Sequence, residues 1–165
     1  MEKLVPCSSP KALTEAVVLA ASQKDWDRVD RIAPLAAEMD GDGLVDCLYR
    51  HTRSTDLDIR DGAMTVWSYL NPKDYRTKHI HWGRAMDEMA MDEHECPAVW
   101  AAVTVCRYID DPDPYFSEPA KIQLEKFRLR IKTMDEREKG DDWQKTRDFV
   151  VEKTKNRLPR LGELI

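Results

Sequence analysis

Apolar residues recur at intervals of three and four along most of this chain, the spacing of one face of an α-helix. Leu13, Val17, Ala20 and Ala21 predict a first helix over 10–21, with Ser9 capping its free N–H groups and Pro10 suiting the first helical position. Trp26, Val29, Ile32, Leu35 or Ala36, and Met39 predict a second over 25–39. Pro34 lies inside it, removes a backbone hydrogen bond, and is expected to bend the helix or split it. Leu44, Val45, Cys47 and Leu48 mark a third helix over 43–53; Ile59, Ala63, Val66, Trp67 and Leu70 mark a fourth over 56–70, ended by Asn71-Pro72. A fifth is expected over 72–91, with Ile80 or His81, Trp82, Ala85, Met86 and Met89 inward. A sixth, over 96–109, carries Val99, Ala102, Val103, Cys106 and Ile109.

Asp110-Asp111-Pro112-Asp113-Pro114 is the clearest break, because each residue before a proline is pushed out of the helical region. Beyond it, Leu124, Phe127, Ile131 and Met134 predict a long helix over 117–138, which Gly140 should stop. Trp143, Val150 and Val151 predict a last helix over 141–157. The apolar tail, LPRLGELI, either packs on that helix or protrudes. No stretch alternates apolar and polar residues between tight turns, so strands are not expected. The fold class is therefore all-α, and 165 residues suit a single domain over 1–165.

A weak internal period accompanies these helices. Residues 58–70, DIRDGAMTVWSYL, align with 97–109, PAVWAAVTVCRYI, at an offset of 39. Ala63 falls on Ala102, Val66 on Val105, Tyr69 on Tyr108 and Leu70 on Ile109. The Asp58-Ile59-Arg60 opening, with Ala63 as a small residue four positions on, resembles the Asp-Val-Arg helix start of HEAT-like repeats. That resemblance covers mainly residues 10–110. It implies a short right-handed stack of about four antiparallel helical hairpins, with a longer, charged hairpin over 115–157. A compact helical bundle is the alternative architecture.

Charge changes the picture in one respect. The 26 basic and 31 acidic residues leave a formal net charge of −5, while residues 121–160 are locally basic. An acidic body repels phosphate backbones, which argues against general nucleic-acid binding. No apolar run approaches the roughly 18 residues that span a bilayer, and the N-terminus lacks the pattern of a secretory signal. The expectation is a cytoplasmic protein without membrane contact. Cys7, Cys47, Cys96 and Cys106 follow no zinc or disulfide spacing, and are expected to be reduced, with Cys47 and Cys106 buried as small hydrophobes.

The candidate chemistry is sparse. His79, His81, His94 and Cys96 lie within 18 residues. Residues two apart on a helix point about 200° apart, so His79 and His81 cannot share a metal from a regular helix. Only His94 and Cys96, in a loop, are geometrically free, and the expectation is no metal and no cofactor. His94-Glu95 looks like the His-Glu motif of deoxyhypusine hydroxylase, a HEAT-repeat di-iron enzyme. At the 39-residue offset stand Thr55 and Asp56 instead, so the repeated pair that two irons require is missing. Phosphate-cradling, zinc-protease and nucleophile-elbow motifs are absent.

The functional expectation that follows is a non-enzymatic protein–protein interaction module using the concave face implied by the HEAT resemblance. Its expected partner-binding residues are Arg28, Arg31, Arg60, Asp61, Trp100 and Arg107, and the acidic balance suggests a protein partner with a basic segment. Self-association through 117–157 is a further expectation. The alternative is a nucleic-acid-acting protein resembling HEAT-like DNA-base glycosylases, with Trp67, Trp82, Trp100, Arg60, Arg84 and Arg107 lining a groove.

Overall fold

A computed structural model describes residues 12–40, 43–70, 86–89, 92, 94–133, 136–156 and 158–165; of these, the side chains of 95, 96, 130–133 and 136–143 are not described. Every regular element among them is helical, and no strand occurs. The helices are α1 (Ala12–Ser22), α2 (Trp26–Met39), α3 (Leu44–His51), α4 (Leu57–Tyr69), α5 (Glu95–Cys106), α6 (Pro114–Thr133), α7 (Glu136–Thr154) and α8 (Leu161–Leu164). They gather into two compact units, divided between Ala85 and Met86.

In the first unit α1 packs against α2, α3 and α4. The α1–α2 connection is short because one turn serves both helices. Lys24 adopts a left-handed backbone with φ of 60°. Its N–H donates to the Ala21 carbonyl at 2.8 Å and the next N–H, of Asp25, reaches Ala20 at 2.9 Å, the paired bonds that close a helix C-terminus. The Asp25 side chain then accepts from the Arg28 N–H and caps α2. At the other end of the pair, buried Asp40 accepts from the Thr14 backbone N–H at 2.7 Å and from its hydroxyl at 2.6 Å. The end of α2 thus meets the start of α1, and the two helices form an antiparallel hairpin.

The α2 face differs from expectation. Pro34 lies within one continuous helix rather than between two pieces. Val29, Ala33 and Ala36 are buried, whereas Leu35 and Met39 are 47% and 68% exposed. Small side chains at spacings of four and three let α2 lie close to its neighbours, and the bulkier residues turn outward. On α3 and α4 every predicted inward residue is buried: Leu44, Val45, Cys47 and Leu48, then Ile59, Ala63, Val66, Trp67 and Leu70.

A close approach between α1 and α4 is centred on Gly62. A Cβ on Gly62 would lie 2.5 Å from the Ala21 Cβ and 3.7 Å from the Val17 carbonyl oxygen. The sequence pattern assigns the small position to Ala63, which is also buried, but Gly62 sits at the contact.

In the second unit α5 packs against α6, α7 and α8. Here α6 begins at Pro114, three residues before the predicted start. Asp113 explains the difference: its carboxylate accepts from the Tyr115 N–H at 3.0 Å, and Pro114 occupies the first helical position, where its missing N–H costs nothing. Gly140 lies inside α7 rather than ending a helix; a glycine costs about 1 kcal/mol relative to alanine in a helix interior, too little to break a 19-residue element. Predicted Ile131, Met134 and Trp143 lie outside the described side chains.

The apolar tail packs rather than protrudes. It forms α8, with Leu161 buried, and α8 is held by Arg147 donating to the Gly162 carbonyl at 2.7 Å and Arg128 donating to the Leu164 carbonyl at 3.0 Å. The predicted helix over 72–91 lies outside the described residues except for a helical stretch at 86–89.

Gly62→Ala tests the α1–α4 crossing. Helix propensity alone would favour alanine by about 1 kcal/mol. Overpacking against a rigid neighbour typically costs about 1–3 kcal/mol. With the added Cβ inside contact distance of Ala21, the variant should be less stable, seen as a lower urea midpoint with an unchanged slope.

Candidate functional site

The outward face of α2 is the most distinctive surface of the first unit. At 100° per residue, Arg28, Arg31, Leu35 and Met39 fall within an arc of about 80°, and all four are exposed. Two guanidinium groups therefore head a stripe that ends in two apolar side chains. Neither Arg28 nor Arg31 pairs with another described residue, and acidic Asp27 and Glu38 border the stripe on one side.

The other expected partner-binding residues are placed differently. Arg60 is buried, and its Nη1 donates to the Ser54 carbonyl at 3.0 Å and the Thr55 carbonyl at 3.1 Å. Its guanidinium clasps the α3–α4 loop. Asp61 is half-buried on α4. Trp100 is buried in the second unit, with Lys153 Nζ 5.6 Å from its ring centre. Arg107 is half-buried, its guanidinium 5.5 Å from the centre of the Tyr108 ring. Trp67 is fully buried, and Trp82 and Arg84 lie outside the described residues. The six residues thus divide between the two units, and only Arg28 and Arg31 share an open face.

In the second unit, Ile122 and Leu129 are 58% and 62% exposed on α6, beside Lys121, Glu125, Lys126 and Arg128. The cations there are already matched: Lys121 with Glu118, Lys126 with Asp87, and Arg128 with Glu125.

A second constellation lies where α3 meets α1. Cys47 and His51 stand four residues apart on α3, the spacing that places side chains one above the other on one face. Both are buried. Glu15 of α1 faces them from across the contact: its Oε1 is 3.6 Å from His51 Nε2 and 3.7 Å from Cys47 Sγ. All three ligand-type atoms lie within 4.8 Å of one another. Burial pushes the His51 pKa below its ordinary value of 6.5; Glu15 opposes that shift through its charge and hydrogen bond, and Arg50 adds to it. Burial therefore favours the neutral imidazole, the form with a lone pair to offer.

Cys47 is disulfide-bonded, which corrects the expectation of reduced thiols. Sequence spacing reports nothing about which sulfurs meet in space, so the bond was illegible there. Its sulfur carries no proton in this state, so the approach to Glu15 is a contact rather than a hydrogen bond. Cys106 follows the expectation: it is free and buried, and desolvation pushes its thiol up to about 12 despite the opposing charge of Arg128. A thiol so held is unreactive at neutral pH.

Of the predicted metal candidates, His79 and His81 lie outside the described residues, and so does the Cys96 side chain. His94 is half-buried at the N-terminus of α5, its backbone N–H donating to Asp92 at 2.9 Å. The sequence did contain the signal for the other cluster, in Cys47-x-x-x-His51, but Glu15 comes from a different helix and no spacing rule connects them.

No helix among the described residues is long and apolar enough to cross a membrane. The chain matches no known protein family, no curated protein and no solved structure.

Two predictions follow from this geometry. Arg60→Ala should cost about 1.5–3 kcal/mol, the usual worth of hydrogen bonds from a charged group, whereas Arg31→Ala should stay within about 0.5 kcal/mol of the parent; urea denaturation separates them. His51 sets a pH dependence. Its folded pKa lies below 6.5, so between the two values the unfolded chain binds the extra proton. Stability is complete above the unfolded pKa and falls as pH drops below it. Urea midpoints of the oxidised protein should decline from pH 7.5 to 5, and His51→Phe should flatten that decline.

Proposed function

We propose that this chain is a non-enzymatic protein–protein interaction module built from HEAT-like helical hairpins, and that the outward face of α2 receives the partner. The observation that carries the reading is the exposed stripe of Arg28, Arg31, Leu35 and Met39. Arginines that have no ion pair among the described residues can make charge-assisted, bidentate bonds to carboxylates, and exposed aliphatic side chains supply the apolar contact that excludes water around them. Because the two charges lead and the two apolar groups follow along one helix, the best-fitting partner is an acidic amphipathic helix. Its carboxylates would lie over Arg28 and Arg31, and its apolar face would cover Leu35 and Met39. This local chemistry is opposite in sign to the basic partner segment suggested by net charge, and the proposal follows the local groups because contacts act over a few ångströms.

The HEAT-like architecture draws its support from the α1–α2 hairpin and from the Asp58-Ile59-Arg60 opening of α4, which follows the Asp56 cap. The α6 surface is a weaker candidate for a charged partner, since its cations are already paired.

Affinity capture from the source cells tests the reading. The parent chain should retain a partner that Arg28→Glu/Arg31→Glu loses, that Leu35→Asp/Met39→Asp also loses, and that rising salt releases. The acidic segment of that partner, as a synthetic peptide, should bind the parent and not the charge-reversed variant. Retention of the same proteins by all three chains would overturn the assignment, and capture of further copies of the chain alone would point instead to self-association through 117–157.

A further inference from the structure

We propose that Glu15, Cys47 and His51 form a redox-gated binding site for a borderline divalent cation of the zinc type, open when the Cys47 disulfide is reduced and closed when it forms. The site is independent of the α2 face.

The donor set is the first reason. One thiolate, one imidazole and one carboxylate are the three kinds of protein ligand that zinc accepts, with bonds of about 2.3 Å to sulfur and about 2.0–2.2 Å to nitrogen or oxygen. Tetrahedral geometry at those lengths sets the ligand atoms about 3.3–3.6 Å apart. Glu15 Oε1 already lies 3.6 Å from His51 Nε2 and 3.7 Å from Cys47 Sγ. Those two edges need only a few tenths of an ångström of contraction, and the third, between Cys47 and His51, lies within 4.8 Å and closes by side-chain rotation as the ion enters. The fourth corner is left for water.

The setting is the second reason. Cys47 and His51 are fixed on one face of α3, so two ligands come pre-oriented by a single rigid helix. Both are buried, with His51 only 1% exposed, while the Glu15 side chain is 30% exposed. Two of the ligands are therefore shielded from solvent, and the partly exposed carboxylate is the one an arriving cation can meet first.

The gate is the third reason. A disulfide sulfur is neutral and a poor ligand, whereas a thiolate binds zinc strongly. A dithiol reductant breaks the Cys47 sulfur–sulfur bond by supplying two electrons and two protons, and its own two sulfurs join in a disulfide. Cys47 then holds a thiol. Cation binding expels that proton to solvent as the metal–sulfur bond forms. A disulfide oxidant, whose own sulfur–sulfur bond breaks as it takes up the two electrons and becomes two thiols, re-forms the Cys47 disulfide; the thiolate ligand is lost and the ion leaves. Occupancy by the metal and oxidation of Cys47 exclude one another.

Cobalt(II) and zinc(II) alone are the probes. The full chain is reduced with dithiothreitol, freed of reductant under nitrogen, and titrated with cobalt(II); the oxidised chain is titrated in parallel. The reduced protein should bind one equivalent, develop the intense absorption of a thiolate-to-cobalt charge transfer, and lose it to zinc. The oxidised protein should show no such band. Cys47→Ser should abolish the band, and His51→Gln should weaken binding by about tenfold or more. Should His51→Gln fail to fold, Glu15→Gln, at the open edge of the site, serves in its place and should weaken binding while keeping the charge-transfer band. The proposal is overturned if the reduced chain takes up no stoichiometric cobalt, if the oxidised chain binds it equally well, or if Cys47→Ser, or whichever of His51→Gln and Glu15→Gln folds, binds like the parent.

Discussion

The first unit depends on how closely α1 can approach α4. At Gly62 the two backbones come near enough that even one added carbon would meet Ala21 at 2.5 Å. Such an approach maximises dispersion contact and leaves no room for a larger side chain. Other features follow from it. The α1 helix can touch α2, α3 and α4 because its inward side chains are valine, alanine and threonine. The same closeness brings Glu15 on α1 against Cys47 and His51 on α3. A wider crossing would separate the carboxylate from the imidazole.

Much of this architecture was legible in the sequence because amphipathic spacing is a local property. The stripes of α3 and α4 are buried as their periodicity requires. Where the reading failed, the deciding physics was not local. Leu35 and Met39 fit an inward stripe as well as Val29 and Ala36 do, but packing selected the face that allows close approach. Pro34 and Gly140 are both tolerated within helices, because the loss at one residue is small beside the burial and hydrogen bonding of a whole element. For the longest stripe, Ile131, Met134 and Trp143 lie outside the described side chains.

The candidate sites divide along the same line. Arg28 and Arg31 could be named because they fall on the polar side of an amphipathic helix. Arg60 is of the same residue type and Trp100 was named beside them, yet Arg60 holds a loop and Trp100 is buried. Residue type suggests what a side chain can do; only burial says whether it is available to do it. Cys47 and His51 show the converse. Each looks like an unremarkable core residue, and together with Glu15 they bring three distinct donor chemistries into one contact.

The α1–α2 hairpin is fastened at both ends, by the Lys24 turn at one and by the Asp40 carboxylate on Thr14 at the other. A pair of rods clamped at both tips cannot slide lengthwise, whatever decorates the outer side. Substitutions along the exterior of α2 therefore leave its alignment intact. Over evolutionary time that exterior is free to diversify, exchanging one specificity for another while the scaffold beneath it stays the same.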